Sequence, residues 1–218
     1  TFRAKTLRGA DLLLDEASVT ATENILMAAV RAEGTTTIYN AACEPHVQDL
    51  GALLNKMGAR ITGLGTNLIR VEGVERLHGA DHAIGPDYIE VGSYLCAAAV
   101  TGGELTVTGF TESQTRAVMQ RTFSKLGLGW KFEGDQLHQP AHRFFRVKRD
   151  LGGAVPKIED GAWPAFPSDL MSVAIVLATQ ARGSMLFFEK MFESRMYFVD
   201  RLIEMGFDER SARENERD

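Results

Sequence analysis

Two kinds of apolar run alternate along this chain. One is apolar on nearly every face: Ile25, Leu26, Met27, Ala28, Ala29 and Val30 follow one another with no polar residue between them. That is the pattern of a helix buried on all sides. The other is amphipathic, with Val47, Leu50, Leu53, Leu54 and Met57 at helical spacing and Gln48, Asp49, Asn55 and Lys56 on the opposite face. Gly58 follows directly, where a helix is expected to stop. Beyond it, residues 59–63 and 67–73 alternate apolar and polar positions as strands do, with a turn from Gly63 to Thr66 between them. The stretch predicts a β-α-β-α-β-β unit of the α/β (α+β) class, with buried helices sheathed by sheet.

This pattern occurs more than once. Residues 21–38 (ATENILMAAVRAEGTTTI) align with 90–107 (EVGSYLCAAAVTGGELTV) and with 169–187 (DLMSVAIVLATQARGSMLF), the copies lying about 70 to 80 residues apart. Each copy has an apolar helical run, a turn ending in Gly34, Gly103 or Gly183, and a β-rich stretch. A second helix then closes on Met57-Gly58, Leu126-Gly127 or Met205-Gly206. The opening recurs as Gly9-Ala10-Asp11 and Gly79-Ala80-Asp81. Matched helices, glycines and order together are the mark of a repeated folding unit.

Equivalent units packed around a pseudo-symmetry axis would have parallel interior helices. Their N-termini, at Ser18-Val19-Thr20, Asp87-Tyr88-Ile89 and Ser168-Asp169, would gather at one end. Unpaired N–H groups and the positive end of the helix dipole suit such an end to an anion such as a diphosphate.

Composition narrows the classes of partner. The net charge of −5, with no block of Lys or Arg, offers no footprint for nucleic acid. The longest apolar stretch, Leu170 to Ala178, is far short of the roughly 20 residues that cross a bilayer, so no membrane partner is expected. The opening TFRAKTLRGAD carries no secretory signal pattern. Cys43 and Cys96, outside any CxxC pattern, predict no disulfide framework. A soluble protein of a reducing, cytoplasmic compartment is the expectation.

Five segments carry a resemblance: residues 17–45, 53–77, 85–103, 163–170 (WPAFPSDL) and 188–206 (FEKMFESRMYFVDRLIEMG). They resemble the enolpyruvyl transferase family, in particular its members that act on UDP-N-acetylglucosamine. The Pro-Ala-Phe-Pro-Ser-Asp run ending at Asp169 is the most specific of them. The resemblance implies an inside-out α/β barrel: two similar domains, each of three such units, closing on substrate. Residues 1–78 would be the last unit of one domain and residues 79–218 the first two units of the other. Residues 76–86 (RLHGADHAIGP) would be the crossing between them. It further implies that the chain is a central portion and needs N- and C-terminal segments of the enzyme. The eleven residues from Asp208 onward are almost wholly polar and are expected to be solvated.

The implied reaction moves the enolpyruvyl group of phosphoenolpyruvate onto the sugar 3-hydroxyl and releases phosphate. It needs a base for the hydroxyl, an acid for the methylene carbon and cations for the phosphate, but no cofactor or metal. By resemblance Asp169 is the base; the plain alternative is that Ser168 or Asp169 caps the next helix. Ser18, Val19 and Thr20 match the stretch that holds the uridine diphosphate, and would equally serve as a helix start. Thr20 stands where the family often has Gly. Asp87 matches an acidic residue beside the nucleotide, followed by Tyr88 in place of the usual Arg, which removes a permanent cation. Met191 and Phe192 match residues near the sugar and uracil; as apolar residues in a strand region they would also suit the core. Arg195 lies in FESR where the family usually has FENR, with a surface helix position as the alternative.

Other constellations lead to no assigned role. His78/His82 and His138/His142 have four-residue spacing, but Gly79 and Pro140 argue against a helix presenting both rings, and loop histidines are expected. Gly63-Leu64-Gly65 and Gly127-Leu128-Gly129 read as turns, lacking a fuller dinucleotide fingerprint. His46 stands where the family commonly has Glu. The family's Lys-Asn pair, its acid-bearing loop and its phosphate-binding arginines fall outside the matched segments, and no Lys-Asn dipeptide occurs here. A nucleotide-sugar-binding paralogue without catalysis, or the sister transferase acting on shikimate phosphate, are the alternative readings.

Overall fold

A computed structural model of the chain describes residues 5–110, 113–142 and 144–206. The polar stretch from Asp208 onward lies outside the described residues. The chain divides into two compact units: Thr1–Gly85 with Ala162–Pro164, and Pro86–Gly161 with Ala165–Asp218.

The first unit follows the predicted order: β1 (Asp11–Leu13), α1 (Val19–Ala29), β2 (Thr35–Tyr39), α2 (Pro45–Lys56), β3 (Arg60–Thr62) and β4 (Leu68–Glu72). The strands form one sheet in the order β1-β2-β4-β3, parallel between β1 and β2 and antiparallel elsewhere. Alternation along β2 and β4 turns Thr36, Ile38, Ile69 and Val71 inward, onto Leu26 and Ala29 of α1 and Val47 and Leu54 of α2. Burying each large aliphatic side chain contributes about 1.5–3 kcal/mol, and this cluster is what holds the helices against the sheet. Pro45 opens α2, and Gly58 closes it at φ 99°. The Gly58 and Ala59 amides donate back to Asn55 and Leu54 at 3.0 Å each. This Schellman closure requires the left-handed residue that glycine supplies.

The second unit contains α3 (Tyr88–Val100), β5 (Leu105–Val107), α4 (Ser113–Phe123), β6 (Lys131–Glu133), β7 (Gln136–Gln139) and β8 (Phe145–Arg146). It continues with β9 (Lys157–Glu159), α5 (Met171–Thr179), β10 (Ala181–Arg182), β11 (Leu186–Phe188) and α6 (Phe198–Glu204). The antiparallel sheet β5-β7-β6 repeats the β2-β4-β3 topology, and the parallel pair β9–β11 repeats β1–β2. The closing motif also recurs, Gly127 and Leu128 donating back to Ser124 and Phe123. Phe123 packs edge-on to Phe166 at 5.6 Å and tilted on Trp130 at 5.4 Å, which ties α4 to the segment leading into α5.

Within this chain the apolar helices keep some residues exposed, Met27 of α1 at 49%, Tyr94 of α3 at 59% and Val176 of α5 at 38%. α1 packs on α2, β2 and β4, and α3 packs on α5. Two sequence expectations are corrected. The second copy has no opening strand. Residues 79–87 run as irregular chain, with His82 Nε2 2.9 Å from Asp49 Oδ1 and the Gly85 amide donating to Asp49 Oδ2 at 3.3 Å. Side-chain contacts to α2 there replace a strand ladder. Finally, His138 is a strand residue rather than a loop one, its ring between Thr106 and Glu104.

Candidate functional site

The Pro-Ala-Phe-Pro-Ser-Asp run enters α5 through extended Pro167 and one 3₁₀ turn, Ser168–Leu170. Leu170 and Met171 are buried and anchor this turn, leaving Ser168 and Asp169 on its outer side. The anchor is tight because Gly92 of α3 has no side chain: Leu170 methyl carbons lie 3.1 Å from where a Cβ would stand. Neither Ser168 nor Asp169 caps the helix; the capping positions are Pro167 and Leu170, without a side-chain hydrogen bond. Asp169 is therefore free for another partner. Arg195 Nη2 donates to its Oδ1 at 2.7 Å.

Arg195 reaches it from an irregular segment after β11, not from a surface helix. Its guanidinium carbon also stacks over the Phe192 ring at 4.9 Å from the centroid. Ser194 holds the turn at φ 66°, in the left-handed region. Met191 and Phe192 are 39% and 53% exposed, so they are surface residues and not core.

Ser168, Asp169, Met171, Ser172, Glu189, Arg195, Met196 and Phe198 line one cavity of about 280 Å³. Three of the residues expected at a site are thus brought together, with Met191 and Phe192 on the same segment as Arg195. Arg195 is the one cation among the described residues lining it. Sequence reasoning missed Glu189, whose carboxyl is pushed up to about 7 by burial and then by the neighbouring Asp160 carboxyl. Its only sequence signal was a position two residues before Met191.

The other expected residues sit at helix starts. In the second unit Asp87 caps α3, its Oδ1 accepting from the Ile89 and Glu90 amides at 2.9 and 3.2 Å. Tyr88 is buried, so the position where the family carries Arg serves here as core. α3 packs against both α5 and the Ser168–Leu170 turn. In the first unit Ser18 caps α1, its Oγ accepting from the Ala21 amide at 3.3 Å. Val19 is half-buried and Thr20 exposed, so the first turn of α1 presents backbone and hydroxyl groups to solvent. Both cysteines are held above the ordinary thiol range, Cys96 by burial and Cys43 by burial and then the charge of Glu44. Among the described residues, no helix is long and apolar enough to cross a membrane.

Comparison with known proteins decides the family. The family described as EPSP synthase (3-phosphoshikimate 1-carboxyvinyltransferase) matches residues 1–215. The chain belongs to the enolpyruvyl transferases. Among relatives of this family, the UDP-N-acetylglucosamine 1-carboxyvinyltransferase of Treponema denticola is 55% identical over 206 residues, which cover 94% of this chain and 48% of that protein. The enzyme of the same name from Bacteroides thetaiotaomicron is 49% identical over 203 residues, covering 93% of this chain and 46% of the relative. Among solved structures, the enolpyruvyl transferase NikO from Streptomyces tendae superposes with a TM-score of 0.75 at 21% identity, covering 92% of this chain and 48% of that one. EPSP synthase from Acinetobacter baumannii gives 0.59 at 17% identity, covering 91% and 45%. These two structural likenesses establish the enolpyruvyl transferase fold. The chain spans about half the length of the relatives it matches.

Proposed function

We propose that this enolpyruvyl transferase chain is part of a UDP-N-acetylglucosamine 1-carboxyvinyltransferase. The reaction transfers the enolpyruvyl group of phosphoenolpyruvate to the 3-hydroxyl of the sugar and opens peptidoglycan synthesis in the cytoplasm. What supports this most is Asp169: uncapped, on the rim of a cavity, and oriented by Arg195.

In this reading Asp169 takes the proton of the sugar hydroxyl as general base. Arg195 binds one carboxylate oxygen and thereby aims the other toward the cavity. Ser168, Met191 and Phe192 lie beside or on the same segments as this pair and contact the sugar nucleotide. Asp87 marks the start of α3 as a second contact region in that unit. In the first unit, Ser18, Val19 and Thr20 hold the diphosphate through the first turn of α1, where N–H groups and the helix dipole favour an anion. Phosphoenolpyruvate carries several negative charges, and one lining arginine does not balance them. The remaining N- and C-terminal parts of the enzyme supply the other cations and the general acid. Residues 1–78 then form the last repeat of one domain, and residues 79–218 the first two repeats of the other.

The test is phosphate release from phosphoenolpyruvate by the full-length protein, with UDP-N-acetylglucosamine or shikimate 3-phosphate as acceptor. Release with the sugar nucleotide alone is expected. Release with shikimate 3-phosphate would reassign the acceptor, and sugar-nucleotide binding without release would make the protein a non-catalytic binder.

A further inference from the structure

Asp160 stands at the end of β9, has no exposed surface, and takes no part in the roles assigned above. Its two oxygens accept the backbone amides of Lys190 at 2.6 Å and Met191 at 3.2 Å. Those amides begin the segment that carries Met191, Phe192 and Arg195. Its own chain leads the other way, through Gly161, whose amide donates to Phe166 at 3.1 Å, and on to Ser168 and Asp169. One buried carboxylate therefore joins the two arms that bear the Asp169–Arg195 pair.

Glu189 follows directly after β11 and lines the same cavity as Asp169. Both of its carboxyl oxygens are withdrawn from solvent, and Asp160 is the acidic neighbour that acts on its carboxyl. Burial and Asp160 push the Glu189 carboxyl up to about 7, while the Phe192 amide and the Arg195 charge act in the opposite sense. The remaining charged groups nearby are Asp169 on the 3₁₀ turn across the cavity, and Lys157, Glu159 and Lys190, which pair with one another at the surface.

We propose that Asp160, through its bonds to the Lys190 and Met191 amides, is a positioning residue that fixes Arg195 opposite Asp169, and that its acidic neighbour Glu189 makes this hold sensitive to pH. Ionisation of Glu189 sets a further negative charge beside the carboxyl that holds the corner. The Lys190–Met191 corner then loosens and Arg195 drifts from Asp169. The activity readout rests on the transferase reading; the denaturation readout does not.

The experiment compares the full-length parent with Glu189→Gln and Asp160→Asn, measuring kcat, the KM for UDP-N-acetylglucosamine and thermal denaturation between pH 6 and pH 8.5. The parent kcat should fall on the order of tenfold across that range with KM changing less, and Glu189→Gln should flatten the fall. Asp160→Asn, which faces the Met191 amide with a donor, should lower kcat at every pH. Superimposable pH profiles for parent and Glu189→Gln, in both kcat and melting temperature, would overturn the proposal. Should Asp160→Asn fail to fold, the Glu189→Gln profiles still decide it. Should the parent show no turnover, the transferase reading falls, and the melting profiles alone decide the carboxyl pair.

Discussion

Arg195 donates to Asp169 at 2.7 Å across 26 residues of chain, and the same guanidinium lies over the Phe192 ring, 4.9 Å from its centroid. The pair is partly exposed, with side chains 39% and 61% accessible, so it contributes little to stability. Its consequence is orientation. Arg195→Ala should leave the melting temperature nearly unchanged and lower turnover by roughly 10- to 100-fold through a misplaced Asp169. Arg195→Lys should not restore it, because an ammonium reproduces neither the planar fork nor the stack on Phe192. Steady-state kinetics beside a denaturation scan checks both statements.

Ser194 is a second handle on the same turn. It sits at φ 66°, a conformation that disfavours most L residues and that Asn visits several-fold more readily. The family pattern FENR has Asn at that place. Ser194→Asn should therefore stabilise the protein by roughly half a kcal/mol, seen as a small rise in melting temperature. A fall would show that the Ser194 hydroxyl does more for the turn than its backbone strain costs.

Glu189 gives a pH dependence with a definite sign. Its carboxyl has an ordinary value of 4.5 and is held at about 7 in the folded chain. Between those values the folded state keeps a proton that the unfolded state has lost. Stability should then be fully supported below about pH 4.5 and decline as pH rises through about 7. Glu189→Gln should remove that slope and melt higher than the parent at pH 8. Equal slopes for the two proteins would contradict the assignment.

The repeat was legible because its punctuation is chemical: Gly58 and Gly127 each close a helix in the left-handed region, and no other residue does so without strain. The alternation of Ile69 and Val71 likewise announced a one-sided strand. A run such as Ile25–Val30 does not say which of its residues find neighbours within this chain, where Leu26 is buried and Met27 is 49% exposed. The site was legible in part. Asp169, Ser168 and Arg195 converge, where the plain alternatives were a helix cap for the first two and a surface helix position for the third. Asp160 and Glu189 could not be paired from sequence. Their contact depends on β9 and β11 lying parallel across α5, a register that local pattern does not encode.

The account stands most directly on Asp169 as the group that takes the proton. Asp169→Ala in the full-length protein, assayed for phosphate release and titrated calorimetrically with UDP-N-acetylglucosamine, isolates that role. The expected result is a fall in kcat on the order of 10²–10⁴ with sugar-nucleotide affinity largely kept. A kcat within about threefold of the parent would remove Asp169 from the chemistry and leave Arg195 a surface ion pair.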